Sequence, residues 1–148
     1  MSRTLHINTF SAIVILMLHL KRFLLSFVVF LGIDLLWLGI IAKPIYGHYL
    51  GHLLRPSPNW PAAFLFYALF VVGLYLIAIK PGIEKQNTCY ARRYGAAYGF
   101  FTYMTYELTN LAVIQGWPLG VVPIDIAWGT VLGAGVAWLS TRILQSHS

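Results

Sequence analysis

Apolar residues run through this chain in long stretches, separated by short segments that gather charges, prolines and glycines. A helix needs about 20 such residues to cross the hydrocarbon core of a bilayer. Four stretches meet that need. The first spans residues 23–42, behind Lys21-Arg22 and before Lys43-Pro44, and the second spans 60–79, opened by Pro61 and closed by Lys80-Pro81-Gly82. The third, 94–114, lies between Arg92-Arg93 and Gly116-Trp117-Pro118, and the fourth, 123–141, stops at Arg142. Backbone polar groups in lipid must pair within the protein, and runs this continuous lack the alternation of a barrel strand. The expected architecture is all-α, a polytopic membrane protein with four transmembrane helices in a compact bundle over residues 21–144. A short cytoplasmic tail follows at 145–148.

Residues 1–20 fit that plan poorly. The apolar segment 10–20 is short for a span and runs straight into Lys21-Arg22, with no small-residue cleavage site of the signal-peptide kind. Met17, followed by His19, Lys21 and Arg22, would serve as a start. Residues 1–20 therefore read as an N-terminal extension, dispensable at least over 1–16.

Composition supports the membrane reading. Of 148 residues 59% are hydrophobic and 9% charged, too few charges to coat a soluble domain. The formal net charge of +6 does not point to nucleic acid. Lys and Arg collect in cytoplasmic segments of membrane proteins, and no soluble basic domain is left to meet a polyanion. With the N-terminus cytoplasmic, the inner segments hold Arg3, Lys21, Arg22, Lys80, Lys85, Arg92, Arg93 and Arg142, against Lys43 and Arg55 outside. That bias of eight to two puts both ends in the cytoplasm. The single cysteine, Cys89, excludes an intrachain disulfide and a thiolate metal cluster.

The candidate chemistry is acidic. Of four acidic residues, three (Asp34, Glu107 and Asp125) fall inside predicted spans. A charge at the bilayer centre costs on the order of 3 kcal/mol, so such groups face a bundle interior or a hydrated cavity. At ~1.5 Å rise per residue, Asp34 lies roughly 12 Å and Glu107 about 10 Å from the outer ends of their helices. Asp125 lies near the outer mouth of its helix, so all three carboxyls are expected in the outer half. In the third span Gly99, Tyr103, Tyr106, Glu107 and Asn110 recur at spacings of three and four, which stacks them on one face. The polar run 102–110 is expected to line protein or a cavity. Asp34-x-x-Trp37 and Asp125-x-x-Trp128 place a carboxyl and an indole on a shared face in helices running in opposite directions.

Each feature has a plainer explanation. Asp125 in a first turn complements a helix dipole, and Glu107 and Asn110 serve as interhelical glue. Gly95-x-x-x-Gly99 and Gly129-x-x-x-Gly133 are spacings that let helices pack closely. His48 and His52 stand one turn apart without a third ligand, so no metal site is expected. No phosphate loop, nucleophile elbow or redox motif is present, and no cofactor is expected.

Several of these strings together resemble a known family. They are Asp34-x-x-Trp37-Leu38, Tyr46-x-x-x-Leu50-Gly51-x-Leu53-Leu54, Pro61-Ala62, Phe66-Tyr67 and Gly95-Ala96-x-x-Gly99, followed by Tyr103-x-Thr105-Tyr106-Glu107-Leu108-Thr109-Asn110, Trp117-Pro118 and Asp125-x-x-Trp128-Gly129. From residue 21 to 144 the chain is similar to the predicted membrane proteins filed as domain of unknown function 2177. The Tyr-x-Thr-Tyr-acid-Leu-Thr-Asn string is its most specific part, with Glu107 where the family commonly has Asp. The resemblance implies a four-helix protein of a bacterial inner membrane. It brings no established activity, and the frequent neighbourhood of members to lipid-modification genes points weakly to a lipid-like ligand.

The leading expectation is a protein that binds or carries a small or lipid-like ligand in an outward-facing polar pocket. The residues expected there are Asp34, Trp37, Tyr103, Tyr106, Glu107, Asn110, Asp125 and Trp128. Four helices are few for a carrier, so transport would call for a homodimer joined through a glycine face. The alternatives are a structural or assembly subunit whose polar network sets helix register, and an intramembrane enzyme using Glu107 and Asp34 as a carboxyl pair.

Overall fold

In the computed structural model, residues 9–146 are described and fold into helices alone. Arg3, counted above toward the charge bias, the rest of the N-terminal segment 1–8 and the tail residues 147–148 lie outside the described part. The described residues form four helical rods. α1 (Thr9–Leu36) continues through a widened π-type turn (Trp37–Ala42) into α2 (Lys43–Leu50). α3 (Trp60–Leu74) likewise continues through a π-type turn (Tyr75–Ile79) into α4 (Lys80–Glu84). α5 (Thr88–Val113) and α6 (Val121–Ser146) complete the bundle.

Neither Lys-Pro step ends its helix, contrary to the sequence expectation. Proline lacks an N–H and its ring crowds the carbonyl four residues back, here Ile40 for Pro44 and Ile77 for Pro81. Both of those carbonyls belong to a π-type turn, where the looser winding relieves the clash and lets the rod run on. The first rod also begins earlier than expected, so Lys21 and Arg22 lie within it. Three rods are long and apolar enough to cross a membrane, Phe10–Leu50, Trp60–Glu84 and Val121–Ser146. The first, at 41 residues, reaches roughly 60 Å, about twice the hydrocarbon thickness. α5 has the length, but its tyrosines, threonines, Glu107 and Asn110 dilute its apolar character.

Helix starts follow local chemistry. Asn59 and Asn87 sit in extended conformation ahead of α3 and α5, and their side-chain oxygens accept from the Ala62 and Tyr90 N–H groups at 3.3 and 2.9 Å. Pro61 occupies the first turn of α3, where its missing N–H costs nothing. Gly116 takes φ +81° in the turn from α5 to α6, a conformation glycine adopts freely.

The apolar core draws on every rod, with Phe30 of α1, Phe70, Val71 and Leu74 of α3, Ala91 of α5, and Leu132, Val136 and Ala137 of α6. The closest packing is between α5 and α6. A Cβ added at Gly99 would overlap the Gly129 carbonyl, and one at Gly95 would overlap the Gly133 carbonyl. The two glycine motifs therefore face each other inside one chain. This corrects the expectation that one of them joins a homodimer, since neither face is left open for a second copy.

Candidate functional site

All three buried carboxyls sit near the end of the bundle that carries the connections 51–59 and 114–120. Asp34, Glu107 and Asp125 are 4%, 0% and 6% exposed. Glu107 projects from α5 and Asp125 from the first turns of α6, and their carboxyls face one another. Each is also held from the far side. The Trp117 indole N–H donates to Glu107 Oε2 at 2.9 Å, and the Tyr46 hydroxyl donates to Asp125 Oδ1 at 2.8 Å. Glu107 Oε1 is buried without a close hydrogen bond, on a carboxyl turned toward that of Asp125. Asp34 stands slightly apart on α1, facing the Tyr67 hydroxyl of α3 and the Trp128 indole of α6. Tyr103 lies between the groups, in electrostatic contact with Asp34, Asp125, Tyr46 and Tyr67.

The two Asp-x-x-Trp motifs meet across α1 and α6. Trp37 and Trp128 stack with ring centroids 4.3 Å apart and planes within 6°. Their carboxyls and indoles are crossed over. Trp128 faces Asp34 of the other motif, and Trp37 faces Tyr46, which bonds Asp125 of the other motif. Two antiparallel helices carrying the same four-residue pattern can dock face to face in this way, so the sequence likeness has a tertiary meaning. Both Nε1 atoms are buried and turned toward these partners, Trp128 to Asp34 and Trp37 to the Tyr46 hydroxyl, short of close hydrogen-bond geometry.

The expected residues divide. Asp34, Trp37, Tyr103, Glu107, Asp125 and Trp128 are brought together. Tyr106 is not, because it lies one residue before Glu107, about 100° round the helix, and is 56% exposed. It packs edge-on against Trp117 and faces Asn110, so these two form a rim outside the cluster. The expectation that the whole 102–110 run faces inward is also corrected. Thr105 is exposed, and its hydroxyl donates to the Phe101 carbonyl of its own helix at 2.7 Å. Thr102 does the same to Tyr98 at 2.8 Å. A threonine satisfied on its own backbone needs no polar neighbour.

Tyr46, Tyr67 and Trp117 are partners that the sequence reading did not assign to the site. All three stand in the strings that carry the family resemblance, which was the available signal. Beside the stacked indoles an apolar groove of about 590 Å³ opens between the first π-type turn and α6, lined by Trp37, Ile41, Pro123, Ile124, Ala127, Trp128 and Val131. Among the described residues no basic side chain forms an ion pair with the three carboxyls, the one ion pair being Lys80–Glu84. No group of three His, Cys, Asp or Glu side chains is gathered there as metal ligands. Cys89 is exposed at the start of α5, at the opposite end of that helix from Glu107.

Comparison with known proteins returns one family. The family described as "Predicted membrane protein (DUF2177)" matches residues 19–142, and the chain belongs to it. No curated protein and no solved structure matches.

Proposed function

We propose that this member of the family is a four-span protein of a bacterial inner membrane that binds or carries a small lipid-like amphiphile at the carboxyl–indole cluster. Both chain ends are cytoplasmic in this reading, as the placement of basic residues favours, and the cluster then opens outward. α5 is the fourth span, its carboxyl turned inward and its Thr102 and Thr105 hydroxyls satisfied on their own helix. If the amphiphile is carried across the bilayer, two copies cooperate through a face other than the glycine seam.

One observation carries the reading. Glu107 Oε1 and the Trp37 and Trp128 N–H groups are buried in one cluster contributed by α1 and its π-type turn, α5 and α6, turned toward Asp125, Tyr46 and Asp34 without close hydrogen bonds. A buried polar group left loosely paired costs free energy that a better-placed ligand group would recover. The same indoles line the apolar groove, so an apolar tail and a polar head would be held by adjoining surfaces.

Native mass spectrometry with lipid analysis of detergent-purified protein tests this. The expected result is a discrete copurifying molecule in wild type that is lost in Glu107→Gln. Wild type without such a molecule, together with a Glu107→Gln variant that melts at lower temperature, would sink the reading and leave Glu107 as interhelical glue.

A further inference from the structure

We propose that Glu107 and Asp125 hold one proton between them, carried on Glu107 Oε1 and donated to the Asp125 carboxylate, so that this pair is a proton-binding site. The two side chains come from α5 and α6 and face one another, 0% and 6% exposed. An ionised carboxylate only accepts hydrogen bonds, so two of them turned together have nothing to exchange and repel. Glu107 Oε1 sits in that conflict. It is buried, turned toward Asp125, and makes no close hydrogen bond. A proton on that oxygen converts the same contact into a donor facing an acceptor.

The flanking donors fix which oxygen takes it. Trp117 donates to Glu107 Oε2 at 2.9 Å and Tyr46 donates to Asp125 Oδ1 at 2.8 Å, so each carboxyl is held through one oxygen. Among the described residues Glu107 Oε1 is the one carboxyl oxygen left buried without a hydrogen bond, and the proton belongs there.

No cation offers an alternative. Among the described residues the one ion pair is Lys80–Glu84, on α4. The titratable groups around the pair are phenols and a third acid. Tyr46 of α2 and Tyr103 and Tyr106 of α5 adjoin it, and Asp34 of α1, with Tyr67 of α3 beside it, stands across Tyr46 and Tyr103. Phenols stay neutral up to about pH 10, and a third carboxyl adds negative charge, so none of these neutralises the pair. Two facing acids left in that position share a proton. The groove beside the indoles is lined by neither carboxyl, so the proton is held with or without an amphiphile there.

The test is infrared spectroscopy of the full chain in phosphatidylcholine nanodiscs, with melting temperature in detergent followed across pH. Wild type at neutral pH should show a carboxylic-acid C=O component that is absent from Glu107→Gln. In Asp125→Asn the Glu107 component should shift, because its O–H then meets a neutral amide in place of a carboxylate; this variant serves also if Glu107→Gln does not fold. The melting temperature of wild type should fall as pH rises from about 5 to about 9. Over that range carboxyls of the unfolded chain are already ionised, while the folded pair loses its proton and two charges come to face each other. Glu107→Gln keeps a donor toward Asp125 and has no such proton to lose, so most of that fall should vanish. Wild type and Glu107→Gln with the same carboxylic-acid spectrum overturn the proposal, since Glu107 is then ionised. A Glu107 component unmoved in Asp125→Asn overturns the sharing, and an equal alkaline fall in wild type and Glu107→Gln overturns it as well.

Discussion

The seam between α5 and α6 and the cluster near the turn that joins the same two helices are built on opposite terms. Along the seam Gly95 and Gly99 meet Gly129 and Gly133, backbone against backbone, with no room for a methyl group. At the cluster the same helices hold Glu107 and Asp125 facing each other, and Glu107 Oε1 and two indole N–H groups lie buried without close hydrogen bonds. In lipid the hydrophobic effect does not drive helices together, so close van der Waals contact supplies the stability. A tight seam can therefore tolerate an unsatisfied pocket a few turns away. Stability belongs to the glycines, and the proposed recognition to the carboxyls and indoles.

That division can be broken first at the seam. Gly99→Leu forces a side chain into the Gly129 backbone, where nothing flexible can yield, and should cost about 3 kcal/mol or abolish folding, read from thermal unfolding in detergent. If it were tolerated, the seam would not be what holds the bundle. Tyr46→Phe comes next. It removes the 2.8 Å donor to buried Asp125 Oδ1 and should destabilise by about 1–3 kcal/mol while also weakening the ligand. Glu107→Gln sharpens the contrast, because it should reduce ligand binding about tenfold with a melting temperature close to wild type. A large drop in melting temperature without any change in binding would move Glu107 to the structural side.

Smaller effects bound the comparison from below. Thr105→Val removes a hydroxyl bonded only to its own helix, so stability should change by no more than about 0.5 kcal/mol and binding not at all. Deletion of residues 1–16 should leave binding unchanged, since residues 13–16 expose their side chains and the contact of His19 with the Tyr75 hydroxyl at 2.8 Å is retained. Loss of ligand in the truncated chain would make the N-terminal segment part of the machinery.

Much of this molecule is legible along the chain, because in a membrane each helix must satisfy its own backbone and advertise itself by composition. Rods of apolar residues, the rarity of Asp34, Glu107 and Asp125, and the paired glycine spacings all follow from that constraint. The Lys-Pro steps mislead for a local reason, since a π-type turn just ahead of each proline lets the helix continue. Tyr106 misleads because spacing names a face without naming its centre, and the bundle turned α5 toward Glu107.

Residue order alone sets the class of fold, the membrane setting, the use of the glycines for packing and six of the nine residues that gather at the site. Those are consequences of transfer energies and of residue size, which each helix carries alone. Only the tertiary structure decided that the glycine motifs face each other, that Trp37 stacks on Trp128 with the two Asp-x-x-Trp motifs crossed over, and that Tyr46, Tyr67 and Trp117 reach the carboxyls. Those depend on the rotation and tilt of one helix against another, which are set by many contacts at once and leave no mark at a single position.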